Sequence, residues 1–236
     1  MGFVATTTLS PRARAARSTV VFKIAMAVTG LFLIVFLLVH AFGNIKVFLG
    51  AEEFDHYAEW LKGDILYPLM PSGWFIWIFR TVMLAAIVVH AGSAWHLTRK
   101  AKAARGSKYV TSKTLQETYA ARTMRWGGVI LGAFLIFHLL QFTAKLILTG
   151  FDKDATPYEM FVGSFSMWWM VLAYGLWMLT VCMHIRHGFW SGFATLGANT
   201  SATTRRVLDG LAYGIAILLY VGFMAPPVAV LLGLVK

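Results

Sequence analysis

The sequence predicts an all-α integral membrane protein, a five-transmembrane-helix bundle forming one domain over 1–236. Three observations carry that expectation. The 236 residues are 58% hydrophobic and only 13% charged, with a mean hydropathy of +0.68. A soluble domain of this length has too little interior to hide so much apolar surface, so the excess must face lipid. Five stretches, roughly 23–49, 74–98, 126–149, 164–190 and 207–235, exceed the ~20 apolar residues that a bilayer crossing needs. Strand-like alternation, the mark of an outer-membrane barrel, is absent. Backbone polar groups in lipid must bond within their own segment, so the five stretches are helices.

Arg12, Arg14, Arg17 and Lys23 stand at the start of the first stretch. It is too long for the apolar region of a signal peptide and lacks an evident cleavage site, so it reads as a retained span. Met1-Gly2 with Thr6 matches the myristoylation pattern by letter, a match that chance explains. Residues 50–73 form the longest outer connection. Within it Glu52 to Leu61 reads as a short interfacial helix ending at Gly63, followed by Pro68 and Pro71. The second span opens on Trp74 and Trp77, which with Trp168 and Trp169 fit an outer aromatic belt. Residues 100–124 are polar and rich in Ser, Thr and Lys, with Thr114-x-x-Glu117 as a helix-start signal. The third span carries Gly128-x-x-x-Gly132, a pattern that lets helices approach. A short Gly/Ser/Thr-rich connection, 191–206, follows the fourth. Pro226-Pro227 predicts a kink in the fifth, which holds no ligand-type side chain and reads as scaffold.

The net charge of +11 suggests nucleic acid until the charges are placed. Arg99, Lys100, Lys102, Arg105, Lys108, Lys113, Arg122 and Arg125 surround the second connection, and Arg186, Arg205 and Arg206 flank the fourth. With five spans these share a side with the N-terminal cluster. The other side mixes Lys46, Lys62, Lys145, Lys153 and Lys236 with Glu52, Glu53, Asp55, Glu59, Asp64, Asp152, Asp154 and Glu159. The positive-inside rule then puts the N-terminus in the cytoplasm and the C-terminus outside. Topology accounts for the basic balance and leaves no need for a nucleic-acid partner. The basic inner face also suits a docked protein or anionic membrane lipid.

Four histidines, His40, His90, His138 and His184, lie deep in four different spans. An ionisable ring at that depth is costly and points to function. Counting at about 1.5 Å per residue, His40 is about 25 Å along its helix from Lys23 and His138 about 20 Å from Arg125. On the two inward-running helices, His90 is about 14 Å short of Arg99 and His184 about 9 Å short of Trp190. Two depths result: His90 with His184 nearer the cytoplasm, His40 with His138 nearer the outside. Each pair is placed to clamp one iron from both sides, and haem is the natural guest. Cys182 is the only cysteine. It excludes an intramolecular disulfide, a CxxCH attachment and a cysteine-ligated iron–sulfur cluster in this chain, so the expected cofactors are two non-covalent b haems. Gly43, Gly188, Ala91, Gly92 and Ser93, close to these histidines, offer room for a flat macrocycle or simply let helices approach. His56 reads as solvated. His96 and His187 are shallow and suit interfacial hydrogen bonds, including bonds to haem propionates. The competing reading of the four deep histidines is polar glue in a bundle.

These segments resemble the cytochrome b membrane anchor of succinate dehydrogenase and fumarate reductase, in its single-subunit, five-helix, di-haem form. The resemblance covers nearly the whole chain: LLVHAFGN, VVHAGSAWHL, LIFHLLQF and, the most specific piece, MHIRHGFWSGFATLG with its His-x-x-x-Gly-x-Trp. It implies axial ligation by His40, His90, His138 and His184, first helix paired with third and second with fourth. It also implies a bacterial cytoplasmic (inner) membrane location and a flavoprotein and an iron–sulfur subunit on the cytoplasmic face. Electrons from succinate would pass through the two haems to a membrane quinone such as menaquinone. Arg80, Gln141 and Lys145 are the candidates for the quinone site, with Arg80 and Lys145 alternatively holding propionates or snorkelling outward. Where some fumarate reductases of this type carry a glutamate two residues before the fourth ligand, this chain has Cys182, a poor proton relay, which favours the succinate-oxidising members. Two rivals stand beside this expectation. One is a haem b subunit of a hydrogenase or nitrate reductase type of complex. The other is a proton-coupled transporter with a histidine relay, for which the sequence shows no inverted repeat.

Overall fold

The computed structural model describes residues 18–104, 116–198 and 200–236. Seven α-helices are seen among the described residues: α1 Thr19–Ile45, α2 Ala51–Gly63, α3 Trp74–Ala103, α4 Gln116–Phe142, α5 Pro157–Phe165, α6 Trp168–Thr195 and α7 Ala202–Leu231. No strand is seen among those residues. α1 runs on through a 3-10 turn, Lys46–Leu49. Five helices are long and apolar enough to cross a membrane: α1 with its turn, α3, α4 over Met124–Phe142, α6 and α7. The two remaining helices, α2 and α5, lie in the connections expected on the outer side. The myristoylation pattern, Arg12, Arg14, Arg17, Arg105, Lys108, Lys113 and Thr114 all fall outside the described residues.

Local chemistry sets most of the boundaries. Ser18 caps α1 by accepting from the Val20 N–H, and Ser201 caps α7 by accepting from Thr204. α5 starts with a complete capping box, Thr156 with Glu159, and has Pro157 in its first turn. The interfacial helix expected from Glu52 to Gly63 is α2, with both glutamates in its first turn, where the helix dipole favours them.

The spans differ from expectation at their ends: the fifth runs from 202 to 231 and not from 207 to 235, and the third and fourth are interrupted by breaks in the chain. The third stops at Phe142 instead of reaching 149. The Ala144 N–H turns back to the Leu139 carbonyl, the Leu146 N–H to that of Leu140, and Lys145 adopts the left-handed conformation at φ 50. Hydropathy continued the span there because Leu146, Ile147 and Leu148 are apolar, but they belong to the outer connection. The fourth span begins at Trp168 rather than 164, because Ser166 and Met167 break the chain between α5 and α6. Gly150 and Gly163 explain how the connection folds onto α5. A Cβ on either would overlap the backbone of the other, so the crossing needs both glycines.

Helix neighbours form a simple pattern. α3 packs along α1, α1 along α6, and α6 along α4, while the side between α3 and α4 has no comparable packing among the described residues. The four helices therefore outline a square with one open side. Its diagonals join α1 to α4 and α3 to α6. α7 covers the back, packed on α6 and α1, with Met170 and Leu219 fully buried. Cations also bridge this seam: the Arg186 guanidinium lies 4.3 Å from the Tyr213 ring centre and that of Arg205 lies 5.1 Å from Trp190. At the outer end α2 and α5 close the bundle. The Tyr158 N–H donates to Asp55 at 2.8 Å, and the Tyr158 hydroxyl donates to the Lys236 carbonyl at 2.9 Å.

Large apolar side chains such as Val35, Val39, Leu84, Val88, Leu176 and Ile217 are exposed, as a lipid-facing surface requires. Trp74, Trp77, Trp168 and Trp169 are exposed at the outer ends of their helices. Trp95 and Trp126, also exposed, lie toward the opposite ends of their helices, as a second aromatic belt would.

Candidate functional site

The four deep histidines meet in two pairs, each across a diagonal of the helix square. The ring centres of His40 on α1 and His138 on α4 are 6.1 Å apart, with the ring planes at 83°. Those of His90 on α3 and His184 on α6 are 6.2 Å apart, at 62°. An imidazole nitrogen binds a first-row metal at about 2 Å, so two rings on opposite sides of one metal have centres about 6 Å apart. Among the described residues no three His, Cys, Asp or Glu side chains converge on one point. Among the described residues each pair thus offers two imidazoles and no cage of further ligands. That donor set suits a metal whose equatorial ligands come with a macrocycle.

Protons on the rings follow from their partners. His90 Nδ1 lies 3.0 Å from the Met26 carbonyl, which can only accept, so Nδ1 carries the proton. Thr29 Oγ1 stands 3.3 Å from the same nitrogen, while its own proton goes to the Ala25 carbonyl at 2.7 Å. His138 Nδ1 lies 3.1 Å from the Tyr174 hydroxyl, and that hydroxyl donates to Gln141 Oε1 at 2.7 Å. The phenol has one proton, so it accepts from His138. In both rings Nε2 is left with a free lone pair, the form a metal ligand needs. His184 Nδ1 is buried with no hydrogen-bond partner.

Walls and openings around the pairs also bear on a planar guest. Phe36 stacks on His40 at 5.3 Å, Phe223 of α7 lies 5.6 Å from it, and Trp177 lies 5.8 Å from His138. α7 is therefore part of the outer site, not scaffold alone. Gly30 faces His90 so closely that a Cβ there would come within 3.0 Å of Cε1. A Cβ on Gly92, Gly132 or Gly188 would meet nothing within 4 Å, and Gly92 and Gly132 are exposed. Gly43 faces Tyr57 of α2: a Cβ there would come within 3.1 Å of the Tyr57 Cε1. Gly128 looks toward His184 rather than into a glycine-lined helix crossing.

The remaining candidates are dispersed. Arg80 is exposed, with its guanidinium 5.0 Å from the Trp77 ring. The Lys145 ammonium donates to the Lys153 and Ala155 carbonyls, at 2.9 Å each. Gln141 is fully buried, and its two amide donors go to Thr149 and Ser164. His56 is exposed, and His187 is half-buried beside Arg186. His96 stacks on Phe22 at 4.0 Å with its Nε2 buried and unpartnered. It lines an inner-end cavity of about 750 Å³ with Gly92, Trp95, Arg99 and Lys100. Cys182 donates from its thiol to the Ala216 carbonyl at 3.1 Å, a packing contact between α6 and α7. Comparison of this chain with known protein families, with curated proteins and with solved structures found no match.

Proposed function

We propose that this chain is a di-haem cytochrome b of the respiratory membrane. It would act as the anchor and electron-transfer subunit of a succinate:quinone oxidoreductase complex. The observation that carries this reading is the pairing of four histidines from four long apolar helices at 6.1 and 6.2 Å across the two diagonals of one bundle. Haem, when bound, supplies the one-electron chemistry at each pair. The protein's part is to hold two imidazoles opposite each other, keep their protons on Nδ1 where partners are seen, and wall the sites off with aromatic rings. Two protein ligands per iron leave no open position for oxygen, which suits electron relay.

The N-terminus is proposed to lie in the cytoplasm, from the lysine and arginine asymmetry. A flavoprotein and an iron–sulfur subunit would dock on that face of a bacterial cytoplasmic membrane, with the carbon chemistry performed there. His96, Arg99 and Lys100, around the inner cavity, suit the carboxylate edge of the inner macrocycle. The quinone would be reduced near the outer pair. Arg80 has the open face that Gln141 and Lys145, engaged within the protein, lack. The test is a reduced-minus-oxidised spectrum of the purified chain with pyridine haemochrome quantitation. Two b haems per chain are expected, both reducible by succinate in the assembled complex. A colourless protein sinks the haem reading; two haems that succinate cannot reduce point to a different respiratory partner.

A further inference from the structure

The outer site contains a hydrogen-bond chain that runs in one direction. Ser164 Oγ donates to the Thr149 carbonyl at 3.2 Å, and a carbonyl can only accept. With its proton committed, Ser164 must accept from Gln141 Nε2, which lies 3.0 Å away. That fixes the amide with Nε2 toward Ser164 and Thr149 and Oε1 toward Tyr174. The Tyr174 proton then goes to Oε1 at 2.7 Å. His138 must supply the remaining bond, Nδ1–H to the phenol oxygen at 3.1 Å. Gln141 and Ser164 are 0% exposed and Tyr174 is 6% exposed, so water does not replace a lost partner. His90 of the inner pair has no such chain and bonds to main chain instead.

From this we propose that Tyr174 is the positioning residue of the outer site. It holds the His138 proton on Nδ1, aims Nε2 at the iron, and through Gln141 sets the electron-donating strength of that ligand. The proposal rests on the di-haem reading and deepens it. A hydrogen-bond acceptor at Nδ1 makes an imidazole more basic toward its metal. A more basic ligand stabilises the oxidised iron, so loss of the acceptor raises the potential of that haem.

The experiment is a redox titration of the purified chain with both haems bound, followed optically and by electron paramagnetic resonance. The outer haem is identified as the one missing from His138→Leu. In Tyr174→Phe the outer haem should become easier to reduce, with a changed resonance signature and about 10–100-fold weaker retention; the inner haem should not move. Ser164→Ala, a small change at the far end of the chain, should shift the outer potential in the same direction by less. Loss of the outer haem alone in Tyr174→Phe also supports the proposal, and Ser164→Ala then gives the potential. An unchanged outer haem in Tyr174→Phe overturns the proposal and leaves the di-haem reading standing. Equal damage to both haems overturns it too, by assigning Tyr174 to the bundle. A wild-type chain without haem removes the reading beneath both.

Discussion

The inner and outer histidine pairs have nearly equal ring spacing, 6.2 and 6.1 Å, yet they are held by different kinds of atoms. His90 is oriented by a main-chain carbonyl of α1, and Gly30 on the same helix gives its ring room. Its partner His184 has an Nδ1 with no protein partner. His138 is oriented by a side chain of α6, and buried Gln141 of α4 and Ser164 of α5 stand behind that side chain. His40 rests between two phenylalanines. Support by main chain is set by the path of the helix and no substitution deletes it. Support by side chains can be removed or tuned one group at a time. On the di-haem proposal, the inner site would be fixed by main chain and the outer site would be the adjustable one.

The largest effect tests whether there are two sites at all. His90→Leu or His184→Leu should abolish the inner haem and leave the outer, and His40→Leu or His138→Leu should do the reverse. Haemochrome quantitation should fall from two haems per chain to one in each variant. If His40 and His184 variants lose the same haem, the diagonal pairing is wrong. Next in size is Gly30→Val. A Cβ there comes within 3.0 Å of His90 Cε1 and 3.4 Å of Nδ1, so the His90 ring must shift. Overpacking of this kind costs about 1–3 kcal/mol, which should appear as weaker inner-haem retention against an unchanged outer haem in a competition assay with apo-myoglobin. Thr29→Val follows. It removes the longer contact to His90, 3.3 Å, and leaves the Met26 carbonyl in place at 3.0 Å. Its cost should stay below about 1 kcal/mol, and the inner potential should barely move in a titration. A shift as large as that of Tyr174→Phe would erase the contrast between main-chain and side-chain support.

Much of this architecture was legible before any coordinates. The number of spans, the short helix after the first span and the pairing of the four histidines follow from hydropathy, capping residues and a fixed rise per residue. The ends of the third and fourth spans were not legible, because Leu146–Leu148 and Phe165 are apolar without being part of a membrane helix. Their breaks come from Lys145 in a left-handed turn and from Ser166–Met167. Main-chain acceptors such as the Met26 carbonyl have no sequence signature at all. Tyr174 had a faint one, a buried hydroxyl on the helix of His184, and Gln141, one turn beyond His138, was singled out as a quinone contact. Thr156-x-x-Glu159 carries the capping-box pattern that starts α5. At Gly43 the close approach of a neighbour, Tyr57, is what the structure shows; one-turn spacing from His40 says which helix face it shares and not what packs there.

The smallest effect expected is at His96, and it discriminates between two registers on α3. His96 stacks on Phe22 at 4.0 Å with its planes 22° apart, and its Nε2 is buried without a partner. Phenylalanine at 96 keeps the stack and removes the unsatisfied nitrogen. Relieving such a group is worth about 1 kcal/mol or less, so the chain should melt at an equal or slightly higher temperature. Both haems should remain six-coordinate, because His90, and not His96, faces His184 at 6.2 Å. If the inner macrocycle turns its carboxylates toward the cavity that His96 lines, the inner potential shifts modestly while the outer does not. Loss of the inner haem in His96→Phe, together with its survival in His90→Leu, would move the ligand nearly two turns along α3. That result would break the inner pair and leave the outer pair, with its side-chain support, as the only one correctly drawn.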